Sequence, residues 1–139
     1  MSDSHTLFSE VIDNITEQEK QWIEEESIKM AAQIDLGSLC EMNWEKNKDG
    51  TYELNFYSTD YGDVEAIATM LRKFIAKFKP DAIYTFEFVV TCSEPEVGEF
   101  FGGAFVITNK KVYSMGTGDW CGRKVYEIIN RREKNEQCY

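Results

Sequence analysis

The stretch "DVEAIATMLRKFIAKFKP", residues 63–80, does most to limit what this chain can fold into. Val64, Ile67, Ala68, Leu71, Phe74, Ile75 and Phe78 recur at i, i+3, i+4 and i+7, which lines them along one stripe of an α-helix. Asp63 and Glu65 stand at its positive end, Lys77 and Lys79 at its negative end, and Pro80 stops it. A helix this one-sided has to lay its apolar stripe on another element. The chain on either side supplies strands.

Upstream, Cys40, Met42 and Trp44 alternate with Glu41 and Asn43, and Tyr52, Leu54 and Phe56 alternate with Glu53, Asn55 and Tyr57. That period of two is a half-buried strand pair, and Asp49-Gly50 suits a type I′ hairpin turn with both central residues at positive φ. Downstream, "AIYTFEFVVTC" is rich in β-formers, with Tyr84, Phe86, Phe88 and Val90 on one face. "FFGGAFVIT" and "KVYSM" continue in the same character, joined by Asn109-Lys110.

Two further helices are expected. Thr16-Glu17-Gln18-Glu19 reads as a capping box, followed by Ile23, Ser27, Met30, Ala31 and Ile34 on one face and a stop at Gly37. Asp119 caps a last helix with Cys121, Val125, Ile128 and Ile129 turned inward. Leu7, Phe8, Val11, Ile12 and Ile15 read as a separate helical turn. The expected fold is a single α+β domain over residues 1–139, fraying at 1–15 and 133–139. Its order is α-β-β-α-β-β-β-α, with helices on one side of a mainly antiparallel sheet. At 139 residues, 42% of them hydrophobic and 14% aromatic, the chain can fill one core.

Charge narrows the function. The net charge is −10, and all of the excess lies in residues 1–60, where 14 acidic residues face 4 basic ones. Residues 61–139 carry 11 of each. A nucleic-acid binder needs a basic stripe against phosphates, so direct binding to DNA or RNA is disfavoured. No apolar stretch approaches the roughly 18 residues of a membrane helix. "MSDSHTLFSEVIDN" lacks the basic start and apolar run of a signal peptide, so a cytoplasmic protein is expected. Cys40, Cys92, Cys121 and Cys138 form no C-x-x-C, and the only histidine, His5, lies in the tail expected to fray. No metal, cofactor or disulfide is expected, and the first three cysteines read as small buried hydrophobes.

"TCSEPEVGEFFGGAF", residues 91–105, is the stretch that most resembles a site. As structure, Pro95 and Gly98 shape a wide connection, and Gly102-Gly103 marks a bulge or a close backbone approach. As function, Gly98, Gly102 and Gly103 make room for a ligand, with Ser93, Glu94, Glu96 and Glu99 as polar contacts. The structural reading is favoured. Phosphate is a poor candidate as the ligand, because no Lys or Arg occurs between Lys79 and Lys110. Glu94, Glu96 and Glu99 lack the tight spacing of a hard-cation loop.

The motif Thr91-Cys92-Ser93, Pro95, Val97-Gly98-Glu99-Phe100, Gly102-Gly103-Ala104, Phe105-Val106 and Thr108 resembles one in small acidic proteins of bacteria, plasmids and phages. "KFKPDA", residues 77–82, extends the similarity to about a third of the chain. The resemblance implies a mobile-element origin and carries no activity.

Catalysis has little to stand on. No nucleophile motif, Walker sequence or dinucleotide fingerprint occurs, and no catalytic residue is assigned. The favoured expectation is an acidic interaction protein that occupies and inhibits a basic nucleic-acid-binding host protein, such as a nucleic-acid enzyme. Anti-restriction and anti-CRISPR proteins of phages act this way as a class. Glu17, Glu19, Glu24, Glu25 and Glu26 of the first helix would supply the charge. The alternative is a small-ligand binder using the 91–105 loop with Tyr57, Tyr61, Tyr84, Tyr113 and Trp120 on an aromatic sheet face. Either a monomer or a homodimer fits.

Overall fold

A computed structural model describes residues 4–92 and 101–137, with side chains as far as Lys134. The sheet has six antiparallel strands: β1 (Ser4–Ile15), β2 (Glu41–Lys46), β3 (Tyr52–Ser58), β4 (Tyr84–Cys92), β5 (Phe101–Ile107) and β6 (Val112–Gly116). Their order across the sheet is β2-β3-β1-β4-β5-β6. The helices are α1 (Glu17–Gln33), α2 (Val64–Phe78) and α3 (Thr117–Gln137). The α+β class with a mainly antiparallel sheet is as expected, with one strand added at the start of the chain.

That strand corrects the reading of residues 7–15 as a helical turn in a frayed lead. Residues 4–15 form β1, which lies between β3 and β4. Phe8 and Ile12 pair with Ser58 and Leu54 and are buried, while Val11 faces the other side and is 55% exposed. A register shift between Ile12 and Ile15, with Asn14 at φ 58°, turns Ile15 back into the core. An inserted residue changes the inward spacing from two to three, so the bulged strand copies a helical period.

The helix-bearing face of the sheet carries Phe8, Ile12, Leu54, Phe56, Phe86, Phe105 and Ile107, all buried. Phe56 and Phe86 stack with centroids 5.7 Å apart, and Phe8 tilts against both. The stripe anticipated for α2 packs onto this layer, with Ile67, Leu71, Phe74 and Ile75 buried. Asp63 caps it by accepting from the Ala66 N–H at 3.0 Å. Helix α1 lies alongside α2, with Trp22 against Phe74 and Phe78.

The capping box of α1 is formed: Glu19 N–H donates to Thr16 Oγ1 at 3.2 Å, and Thr16 N–H donates to Glu19 Oε1 at 2.9 Å. Its stop is not Gly37. Asp35 takes the left-handed conformation at φ 58°, and the N–H groups of Asp35 and Leu36 return to the carbonyls of Ala32 and Ala31. This is the double-bonded Schellman ending, with aspartate where glycine is usual. Ile34, expected inward, is 44% exposed.

The β2–β3 hairpin is present but its turn is not type I′. Of Asp49 and Gly50, only Gly50 has positive φ, at 90°. Gly50 N–H donates to Asn47 O at 3.1 Å and Asn47 N–H donates to Thr51 O at 2.7 Å. This is a three-residue loop, a type I turn closed by glycine in a bulge position. Asp49 serves through its side chain, accepting from the N–H and hydroxyl of Thr51.

Helix α3 departs most from expectation. It follows β6 without a loop, and its apolar residues stay outside: Trp120 is 51%, Val125 56%, Tyr126 68% and Ile129 47% exposed. Cys121 is exposed as well. Its main contacts with the body are to β5 and β6. No described helix is long and apolar enough to cross a membrane.

Candidate interaction surface

Pleating sends alternate residues of each strand to opposite faces. With Met42, Trp44, Leu54 and Phe56 turned toward the helices, Glu41, Asn43 and Glu45 of β2 and Glu53, Asn55 and Tyr57 of β3 line the uncovered face. Register sets them in rows: Glu41 opposite Tyr57, Asn43 opposite Asn55, and Glu45 directly opposite Glu53. Val11 of β1 continues the middle row beside Asn55, which is anchored by donating to Ser9 Oγ at 3.1 Å and Glu10 O at 3.0 Å. A shallow groove of about 210 Å³ runs among Val11, Asn43, Glu45, Glu53 and Asn55.

The Glu45–Glu53 pair is unusual on physical grounds. Like charges directly opposite on neighbouring strands destabilise a sheet. Among the described residues, Glu41, Glu45 and Glu53 enter no ion pair. The nearby Lys46 ammonium instead lies over the Tyr52 ring on the helix-bearing side, 6.0 Å from its centroid. The open face thus carries uncompensated negative charge.

Of the glutamates expected to bind a partner from α1, Glu19, Glu24 and Glu26 are engaged within the molecule by a cap or a lysine. Glu19 is 5% exposed, spends its carboxylate on the cap and lies 4.0 Å from Lys79 Nζ. Glu24 binds Lys20 and raises its pKa above the ordinary 10.5. Glu26 meets Lys73 of α2 at 3.3 Å. Glu25 accepts from Gln21 at 3.1 Å, and a hydrogen bond to Glu17 raises the Tyr52 phenol. Glu19 is corrected from partner contact to cap, because a buried carboxylate cannot face a partner. The sheet carboxylates, overlooked as a site, were visible as the polar half of a period-two pattern. What was hidden was that no described element forms a second layer over them.

Of the 91–105 loop, Ser93, Glu94, Pro95, Glu96, Val97, Gly98, Glu99 and Phe100 lie outside the described residues. Gly102 and Gly103 are within β5, whose register against β4 is continuous, so no bulge occurs there. Gly103 has a packing role instead: a Cβ would stand 2.3 Å from Phe88 Cζ. Gly102 N–H donates to Thr117 Oγ1 at 3.0 Å, tying β5 to the start of α3. The aromatics expected around a ligand are spread apart. Tyr57 and Tyr113 are on the open face, Tyr84 is beside Phe74, Tyr61 is in a connection and Trp120 is on α3.

A cleft of about 200 Å³ opens where β1 and β4 part beyond Leu7–Val89. There Glu10 Oε1 accepts from the Glu87 N–H at 3.0 Å, replacing a lost ladder bond. Both openings fall below the roughly 300–1,000 Å³ typical of ligand pockets. His5, placed in the frayed tail by sequence, is in β1 and bonds Asp60 Oδ1 through Nδ1 at 2.8 Å. Cys92 stands on the opposite face of the sheet, 3.7 Å from Ser4 Oγ, so histidine and thiol do not meet. Among the described residues no three His, Cys, Asp or Glu side chains converge as a metal site.

The cysteines divide. Cys40 is buried, and desolvation pushes its thiol up to about 12. Cys92 is half-buried and Cys121 exposed, which corrects the reading of both as core residues; Cys138 lies outside the described residues. No protein family, curated protein or solved structure matches this chain.

Proposed function

We propose that this chain is an acidic interaction protein that binds and inhibits a basic nucleic-acid-binding host protein, with the open sheet face as its contact surface. Glu41, Glu45 and Glu53 stand in for phosphates, and Asn43 and Asn55 supply hydrogen bonds between them. The observation that carries the reading is the Glu45–Glu53 pair. Two opposed carboxylates without a cation cost stability in the free protein, and an arginine or lysine from a partner removes that cost on binding.

The test is a variant carrying Glu41→Gln, Glu45→Gln and Glu53→Gln, compared with one carrying Glu17→Gln and Glu25→Gln. Capture from host lysate at low and high salt, with duplex DNA as competitor, identifies the partner, and association kinetics follow. The expected partner is basic, binds nucleic acid and is displaced by DNA. The sheet variant associates about tenfold more slowly, within the range over which charge steers encounter, while the helix variant changes little. Wild-type binding weakens with salt. Equal association rates for the sheet variant and wild type, or a captured partner indifferent to DNA and salt, refute the proposal.

A further inference from the structure

The sheet has two edges of opposite character. At one edge, β2 carries Glu41, Glu45 and Lys46, charges of the kind that keep an edge strand from pairing with another chain. At the other, β6 reads Val112-Tyr113-Ser114-Met115-Gly116, with no charge and no proline. It is bonded to β5 on one side only. Tyr113 is 52% and Met115 45% exposed on the open face, and Ser114 is exposed on the helix-bearing face. Among the described residues nothing pairs with this backbone edge beside α3, whose apolar residues are exposed as well.

We infer that the occupant is a second copy of this chain, joined by antiparallel pairing of the two β6 strands about a dyad at Ser114, with α3 of each copy packed across the joint. A two-fold contact requires a self-complementary patch. A dyad at Ser114 sets Tyr113 opposite the partner's Met115 and Val112 opposite the partner's Gly116. The first is a sulfur–aromatic contact and the second a large residue against a small one. Since α3 starts at Thr117, directly after β6, pairing the edges brings both α3 helices to the joint.

Area and charge both favour self-association. Tyr113, more than half exposed on β6, offers roughly 100 Å² where a whole aromatic buries 150–250 Å², while Trp120 lies among Arg123, Lys124 and Glu127 on the charged side of α3. Met115 and the α3 stripe of Val125, Ile128 and Ile129 bring the apolar area to roughly 400 Å² per chain on the same scale. The strand edge adds backbone, which gives roughly 1,000 Å² over both partners, at the low end of specific interfaces. Two chains of net charge −10 repel, but the excess lies in residues 1–60. Helix α3, with five basic and four acidic residues, is close to neutral. The β6–α3 end is where two copies meet with least repulsion. The isolated α3 also gains a reason to be ordered, since an exposed helix draws most of its stability from packing an apolar face.

The experiment is the mass in solution of the whole chain by sedimentation equilibrium, with hydrogen exchange across α3 as the chain is diluted. Wild type is expected to have twice the single-chain mass, with α3 amides losing protection on dilution. Met115→Lys and Val125→Glu, at exposed positions that leave the core intact, are each expected to give single chains with unchanged circular dichroism. Ile28→Lys, which charges an exposed apolar residue of α1, is expected to remain double. A wild type of single-chain mass at tens of micromolar overturns the inference, whatever else binds the edge. So does a dimer that survives both Met115→Lys and Val125→Glu.

Discussion

Replacing Gly103 with alanine tests the packing of β5 against β4. The added Cβ would sit 2.3 Å from Phe88 Cζ and 2.6 Å from Cε1, distances no real Cβ keeps. The ring has little freedom to retreat. It stacks on Phe105 at 5.5 Å, meets Phe101 edge-on at 6.3 Å and tilts against Phe86 at 6.1 Å. Overpacking of this kind costs about 1–3 kcal/mol. Gly103 lies in a strand with no positive φ, so alanine also recovers about 0.4–1 kcal/mol by restricting the unfolded chain. The net expectation is a loss of about 1–2 kcal/mol for Gly103→Ala, rising to about 3 kcal/mol for Gly103→Val. At roughly 3–6 °C per kcal/mol for a chain of this length, alanine lowers the melting temperature by about 3–12 °C. Urea titration of Gly103→Ala, Phe88→Leu and the double variant measures the coupling between the two sites. With the ring shortened, the alanine is expected to cost nothing or to stabilise. Wild-type stability for Gly103→Ala, or the same loss in both backgrounds, would show that the ring is not what demands glycine.

Two further outcomes follow from the local chemistry. Thr16→Ala leaves the Glu19 N–H without its acceptor at the start of α1 and is expected to cost about 1 kcal/mol, read by urea midpoint at constant slope. Thr16→Ser should retain most of that. Burial of Cys40 raises its thiol from 9.0 to about 12, so the unfolded chain loses this proton before the folded one does. The stability tied to this group is whole below pH 9 and declines as pH climbs toward about 12, by up to about 1.4 kcal/mol per pH unit. Comparing the alkaline stability of wild type with Cys40→Ala isolates it; parallel curves for the two would contradict the burial. In the native protein at pH 8, Cys121 should react with a thiol reagent well before Cys40.

Local signals, where they agreed with one another, determined a large part of this protein. The stripe of α2, the capping box of α1 and the alternation of β2, β3 and β4 each follow from a period or a side-chain reach of four residues or fewer. Such features need no knowledge of the rest of the chain. The polar half of the β2 and β3 alternation already held Glu41, Glu45 and Glu53. Three things depended on the tertiary structure. Residues 7–15 became a strand between β3 and β4 because a bulge at Asn14 returns Ile15 to the core, giving the strand a helix-like spacing that only its neighbours resolve. Three of the α1 glutamates, Glu19, Glu24 and Glu26, were taken up by a cap and by lysines of two helices, while the sheet carboxylates stayed uncompensated. An acidic composition does not distinguish these, since it does not say which charges a lysine can reach. Finally, α3 has an apolar stripe much as a core helix does, yet the core is filled by α1 and α2 against the sheet. Periodicity reports that a face seeks cover, and the packing of the other described elements leaves this one exposed.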